Sequence, residues 1–400
     1  MSALARCLNL ADVREHARRR LPKGIFEFID RGAEDDEALA HNREAFRRIK
    51  LKPKVLIDVS SRSAETALFG RAHAMPIAIA PTGAAGLVWY EGELELARAA
   101  AAARIPFTLA TRSMTSLEDI AAKAGGTLWF QLYVWAERKL SFKLVERANA
   151  AGFEVLIVTV DVPVAPNREY NGRNGFSLPF NPTVRALLDM LAHPHWLLNV
   201  MSRYLLTTGM PRYENMPGEH RERITQGGKP LTSLRGDNIM WDDIQELRRR
   251  WPRTLIVKGI LRAEDAVRAV ACGADGVVVS NHGGRCLDSA VAPIDVLPEI
   301  VDAVSPRATV LLDSGVRRGG DIVKALALGA SAVLSGRPCL YGMALAGKMG
   351  AQHVLELLRQ ELLTAMGQVG CPTVADLGPE IVDGAAAKAA RSAEQVRAFA

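Results

Sequence analysis

From Met75 onward, short apolar runs alternate with alanine-rich, charged segments. The runs at 76–80, 107–110, 128–132, 155–160, 254–258, 276–280, 309–313 and 332–335 predict eight strands. Each is apolar at successive positions, as in a strand of a parallel sheet buried on both faces. Amphipathic stretches at 94–103, 263–272 and 320–328 read as intervening helices. Eight such units predict an α/β chain folded as a (β/α)8 barrel. An open doubly wound sheet is the alternative, but no GxGxxG follows the first strand.

Residues 1–75 predict an N-terminal helical cap. The stretch 11–20 is charged and helix-prone, Leu21-Pro22-Lys23-Gly24 breaks it, and 25–29 opens another helical turn. The barrel occupies 76–345 and helices follow over 346–400, all in a single domain. One connection is too long for a loop and one helix: strand four ends near Val160 and strand five begins near Thr254. Residues 168–240 therefore form an insertion at the C-terminal face, where barrel active sites lie. It carries the apolar run from Ala186 to Leu191, then His195-Trp196-Leu197-Leu198 and Tyr204-Leu205-Leu206. Such a segment suits an active-site lid, a subunit contact, a monotopic membrane anchor over about 183–212, or an ordinary packed helix.

Composition narrows the partners. The chain has 400 residues, 48% hydrophobic and 24% charged, with a formal net charge of +6. That balance suits an anionic substrate, cofactor or membrane surface. No isolated basic run or nucleic-acid motif points to nucleic acid. Cys7, Cys272, Cys286, Cys339 and Cys371 are scattered, without metal spacing, and read as reduced thiols of a cytoplasmic protein. Charges at Arg6, Asp12 and Arg14 leave no signal-peptide core, and no apolar run reaches the roughly 18 residues of a spanning helix.

The barrel rule then sorts the candidate chemistry, because catalytic groups sit at strand C-termini. Of the eight histidines, only His282 directly follows a predicted strand, in Ser280-Asn281-His282-Gly283-Gly284-Arg285. Its glycines allow a tight turn beside a ligand, and Arg285 offers a fork for a carboxylate. Asp313-Ser314-Gly315-Val316-Arg317 after strand seven and Ser335-Gly336-Arg337 after strand eight suit a phosphate, itself part of a cofactor. Pro81, Thr82, Gly83, Gln131, Tyr133, Thr159, Asp161, Arg168 and Lys258 complete a polar ring at one mouth. No Cys/His/carboxylate cluster with metal spacing is present, so no metal is expected.

These motifs carry a resemblance. With Leu21-Pro22-Lys23, Gly32-Ala33-Glu34-Asp35, Trp129-Phe130-Gln131-Leu132-Tyr133 and Val257-Lys258-Gly259, the chain resembles the FMN-dependent 2-hydroxy-acid dehydrogenases and oxidases from about residue 10 to 376. The likeness extends to their membrane-associated mandelate and lactate members through 171–180 and His193-Pro194-His195-Trp196. It implies FMN-dependent oxidation of an (S)-2-hydroxy acid to the 2-keto acid. His282 would be the base, poised by Asp161, and would take the hydroxyl proton in a hydride route or the α-proton in a carbanion route. Arg285, Tyr133 and Arg168 would hold the substrate. Lys258 would sit by the flavin N1/O2 edge. Pro81, Thr82, Gly83, Gln131, Thr159 and Ser280 would contact isoalloxazine or ribityl. Asp313, Ser314, Gly315, Val316, Arg317, Gly336 and Arg337 would take ribityl and phosphate.

The resemblance also implies a homotetramer. Electrons would pass to a quinone or another acceptor, with O2 and hydrogen peroxide release as the alternative. Gly83 favours the dehydrogenase, since many oxidases of the family carry Ala there. The insertion would place the protein in the cytoplasm, peripheral on the cytoplasmic face of the membrane. Three positions depart from the pattern. Phe28 replaces a Tyr that donates to the substrate carboxylate, a hydrogen bond of about 1.5–3 kcal/mol. Ala110 replaces a Ser that touches the flavin, at roughly 0.5–1.5 kcal/mol. Arg112 stands where relatives carry a small or aromatic residue; it is expected to face solvent, and turned inward it would suit a substrate with a second anionic or polar group.

Overall fold

A computed structural model describes residues 4–176, 180, 183–218, 221, 223–225 and 236–383. Eight parallel strands close a barrel: β1 (Ile77–Ile79), β2 (Phe107–Ala110), β3 (Leu128–Leu132), β4 (Val155–Thr159), β5 (Thr254–Ile260), β6 (Gly276–Val279), β7 (Thr309–Leu312) and β8 (Ala332–Ser335). Val333 of β8 pairs with Ile77 of β1 and seals the ring. Alternate residues explain the continuous apolar runs. Ala78, Trp129, Ile157, Ile256, Val278 and Leu311 fill the interior, while Ile77, Phe130, Leu156, Val257 and Val310 face the surrounding helices. A hairpin of Thr66–Leu68 and Arg71–His73 closes the N-terminal end, with Leu68 and Phe69 packed on the interior cluster.

The strands lie within a residue of where the sequence places them, except at the end of β5. β5 runs on past Lys258 to Ile260, with a shift in register against β6 between those two residues. Gly259 sits in that irregularity at φ +109, and a Cβ there would lie 2.5 Å from the Cβ of Asp161. The glycine lets β5 turn its end around the loop that follows β4.

The N-terminal segment forms α1 (Leu10–Arg20), α2 (Lys23–Asp30) and α3 (Glu37–Arg48). The Asn9 side chain caps α1 by accepting from the N–H groups of Ala11 and Asp12. The extended Leu21 and the donor-less Pro22 separate α1 from α2. α3 and the hairpin had no counterpart in the sequence reading. α1 packs on the helix Arg337–Val369, which leaves helical geometry at Ala346 and Gly347. The helices expected over 384–400 lie outside the described residues.

The insertion contains Glu169–Arg173, Val184–Leu191 and a nearly continuous stretch from Pro194 through a wide π turn to Thr207. Trp196, Val200 and Tyr204 recur every fourth residue and are buried. Trp196 Nε1 donates to the Leu87 carbonyl at 2.7 Å, and the Tyr204 ring stacks obliquely on Tyr90 at 4.8 Å. The opposite faces expose Leu187, Leu188, Leu191, Leu198, Leu205 and Leu206. Among the described residues no helix is long and apolar enough to cross a membrane.

Candidate active site

The C-terminal mouth of the barrel holds a cavity of about 240 Å³. Its centre is built on the turn after β6. His282, Gly283 and Gly284 all take positive φ, at +59, +69 and +71. A Cβ on Gly283 would meet Arg337 Nη1 at 2.6 Å, and one on Gly284 the Leu39 nitrogen at 2.6 Å. Only glycine lets this turn pass between cap and barrel, and it forces His282 into a conformation rare for a side-chain-bearing residue. Asn281 locks the turn by a reciprocal amide pair with Asn42 of α3, at 2.9 and 2.7 Å.

His282 Nδ1 lies 2.8 Å from Asp161 Oδ1, and His282 Nε2 lies 3.4 Å from the Tyr133 hydroxyl. The carboxylate fixes the tautomer with the proton on Nδ1 and leaves Nε2 as the open lone pair. Burial lowers the His282 pKa below its ordinary value, against the pull of Asp161, so the ring is neutral near pH 7. Burial works to raise the Asp161 carboxyl, but His282 and Lys258 outweigh it and hold it low. Asp161 Oδ2 is buried without a hydrogen bond, 3.8 Å from Lys258 Nζ.

Lys258 rises from β5 through the floor of the cavity. Its Nζ pairs with Asp313 Oδ2 at 2.9 Å and donates to Ser280 Oγ at 2.8 Å. Burial opposes its charge, but Asp313 and Asp161 raise its pKa, so it stays protonated. Ser280 Oγ also accepts from the His282 N–H at 3.0 Å. It ties the lysine of β5 to the histidine that follows β6.

On the outer side, the Arg168 guanidinium donates to the Arg285 carbonyl at 2.9 Å, and Arg285 donates to the Arg31 carbonyl at 2.7 Å. Burial and the charge of Arg285 lower the Arg168 pKa to about 10. Phe28 stacks between Arg285, at 5.4 Å, and Phe176, at 5.3 Å. Arg112 does not turn to solvent: it lines the cavity, with its guanidinium carbon 5.8 Å from the centre of the Tyr133 ring.

Pro81, Thr82, Gly83 and Ala110 line the same cavity as Lys258. Gln131 Nε2 donates to Thr159 Oγ1 at 3.0 Å. At the far end, Ser314, Gly315, Val316, Arg317, Gly336 and Arg337 surround a pocket at the N-terminus of the helix Arg337–Val369. Among the described residues the Arg337 guanidinium bonds only the carbonyls of Asp30 and Arg31, and the Arg317 guanidinium only that of Val316. Burial pushes both guanidiniums down, Arg337 to about 9. No carboxylate pairs with either among the described residues. Two partly buried cations beside a helix N-terminus form a site suited to an anion, and a phosphate monoester fits it.

Folding also assembles something that spacing could not show. Asp161, His282 and Cys286 bring ligand atoms within 4.8 Å of one another. Burial pushes the Cys286 thiol up to about 12, and Lys258, Arg168 and Arg285 crowd the same space. That field selects an anionic ligand over a dication. Sequence reasoning also missed Trp135 and Leu340 in the wall, and the Asp30 and Arg31 carbonyls that anchor its arginines.

A barrel with a phosphate pocket beside strands seven and eight, a buried lysine and a histidine–carboxylate pair defines a flavin-dependent oxidoreductase. Residues 17–384 match the model of the FMN-dependent dehydrogenases, and the chain belongs to that family. FMN is its cofactor. The chain is 42% identical over 372 residues to an (S)-mandelate dehydrogenase of Pseudomonas putida, covering 93% of each chain. It is 43% identical over 381 residues to an L-lactate oxidase of a Nostoc species, covering 94% of this chain and 98% of the other. A solved (S)-mandelate dehydrogenase, described as a monotopic membrane protein, superposes with a TM-score of 0.90 at 41% identity. The match covers 95% of this chain and all of that one.

Proposed function

We propose that the protein oxidises an (S)-2-hydroxy acid, lactate- or mandelate-like, to the 2-keto acid, with His282 as the base. The observation that carries this is the histidine itself. Its Nδ1 is committed to Asp161, and its Nε2 opens on a cavity that also holds Tyr133, Arg168 and Arg285. The substrate carboxylate would lie against the two guanidiniums, which brings the carbinol under Nε2. His282 takes one proton, and the resulting imidazolium lies beside a buried carboxylate. Bound FMN supplies the two-electron acceptor, held by the phosphate pocket, the Pro81–Gly83 wall and Lys258.

Electrons then leave for a quinone or another acceptor. The 43% identity to a lactate oxidase supports the second reading, in which O2 takes them and hydrogen peroxide forms. The exposed leucines of the insertion and the monotopic relative support peripheral docking on a membrane. The cytoplasmic face and a homotetrameric assembly belong to the same proposal, and light scattering checks the assembly.

The test is anaerobic mixing of the purified flavoprotein with L-lactate, (S)-mandelate and glycolate in turn. Bleaching of the flavin absorbance by an S-acid is the expected result, and air readmitted afterwards separates oxidase from dehydrogenase. A flavin that no 2-hydroxy acid bleaches overturns the proposal.

A further inference from the structure

Arg112 has no part in the chemistry above, yet it lines the same cavity. It sits on the loop after β2, where its carbonyl accepts from the Ala84 N–H at 2.9 Å and fixes the backbone that carries the side chain. Its guanidinium carbon stands 5.8 Å from the centre of the Tyr133 ring, and the Tyr133 hydroxyl stands 3.4 Å from His282 Nε2. One phenol ring therefore separates this cation from the proposed base. After burial, Arg112 is the strongest electrostatic influence on that phenol.

The other cavity arginines are anchored on backbone carbonyls, Arg168 on Arg285 and Arg285 on Arg31. The Arg112 side chain makes no hydrogen bond or ion pair with any described residue. It keeps five donors in a fixed fork beside the reacting position. A monocarboxylic substrate is fully matched by Arg168 and Arg285, which leaves the third guanidinium without an anion.

We infer that Arg112 reads a second carboxylate, so that the preferred substrate is a short 2-hydroxy dicarboxylic acid of malate or 2-hydroxyglutarate type. This rests on the assignment of the cavity to 2-hydroxy-acid oxidation. The carboxylate next to the carbinol faces Arg168 and Arg285, the distal one faces Arg112, and the hydroxyl lies between them under His282. The reaction is unchanged: the carbinol C–H and O–H bonds break, the C=O bond forms, one proton goes to His282, and the other proton and the two electrons would be taken up by bound FMN.

The test measures second-order rates of anaerobic flavin bleaching in the holoenzyme. L-malate and (S)-2-hydroxyglutarate are compared with L-lactate and (S)-mandelate, in the native protein and in Arg112→Met and Arg112→Lys. The dicarboxylic acids are expected to lead by about tenfold or more, the worth of one charge-assisted hydrogen bond. That ratio should collapse in Arg112→Met, persist in part in Arg112→Lys, and shrink as salt is raised in the native protein. Monocarboxylic acids that bleach the flavin as fast as the dicarboxylic ones overturn this inference alone, as does a ratio untouched by Arg112→Met. Failure of every acid to bleach overturns the underlying reading and the inference with it.

Discussion

Replacing Asp161 by Asn isolates the electrostatic half of the proposed base. The amide keeps the size of the carboxylate and an oxygen that can accept from His282 Nδ1, 2.8 Å away. What disappears is the buried negative charge. Lys258 keeps its 2.9 Å pair with Asp313, so the cavity retains its neutralised lysine. The imidazolium formed during turnover instead faces Lys258 and Arg168 without its counter-charge. Breaking a buried ion pair by removing one partner costs roughly 3–5 kcal/mol. Retention of the hydrogen bond argues for the lower end. At about 1.36 kcal/mol per decade, 3 kcal/mol slows flavin reduction roughly 100- to 200-fold.

The sign of the pH effect follows from the same pair. Burial already lowers the His282 pKa, and Asp161 is what pulls it back up. The native rate should therefore fall as pH drops through a value below the ordinary histidine pKa. Asp161→Asn should move that acid limb lower still. The assay is stopped-flow bleaching under nitrogen across pH 5–9 with saturating acid, with the visible spectrum confirming bound flavin. A variant that keeps more than a fifth of the native rate, or an acid limb that moves upward, refutes the reasoning.

Other perturbations test other parts of the site. Arg317→Met should weaken FMN binding at least tenfold while leaving riboflavin affinity nearly unchanged, because the guanidinium is assigned to phosphate; fluorescence titration of the apoprotein checks this. Phe28→Tyr should lower KM for the hydroxy acid about tenfold by adding a donor beside Arg285, and a KM that stays put or rises would contradict that placement. Changing Leu188, Leu191 and Leu206 to Glu should move the protein from the membrane to the soluble fraction after cell breakage, with turnover of a water-soluble dye acceptor retained. Membrane recovery equal to the native protein's would argue for a packing role of the insertion.

The barrel was legible because its strands are buried on both faces, so each shows as an unbroken apolar run that no surface strand mimics. Its mouth was legible because the fold places chemistry at strand ends, which singled out His282 among eight histidines. What stayed hidden depends on packing between distant segments. The Ser280 hydroxyl accepts from both Lys258 and the His282 N–H, a tie between two strand ends that spacing does not show. Cys286 looks like any isolated cysteine until the turn after β6 folds it toward Asp161. Arg112 comes to lie against Tyr133, which follows a different strand. The insertion did carry a readable signal. Trp196, Val200 and Tyr204 fall on one helical face, and their burial means that excising 183–212 would remove core as well as exposed leucines. Point substitutions on the outer face are the cleaner test.

The buried lysine between two aspartates has a further consequence for how the site carries protons. Lys258, Asp161, Asp313 and neutral His282 together hold one positive and two negative charges. At rest the cluster is an anion, and when His282 gains its proton the cluster becomes neutral. Turnover thus moves this quartet toward electroneutrality instead of stranding a fresh cation in a dry cavity. The protonated ring finds its counter-charge within the protein, in Asp161 at 2.8 Å.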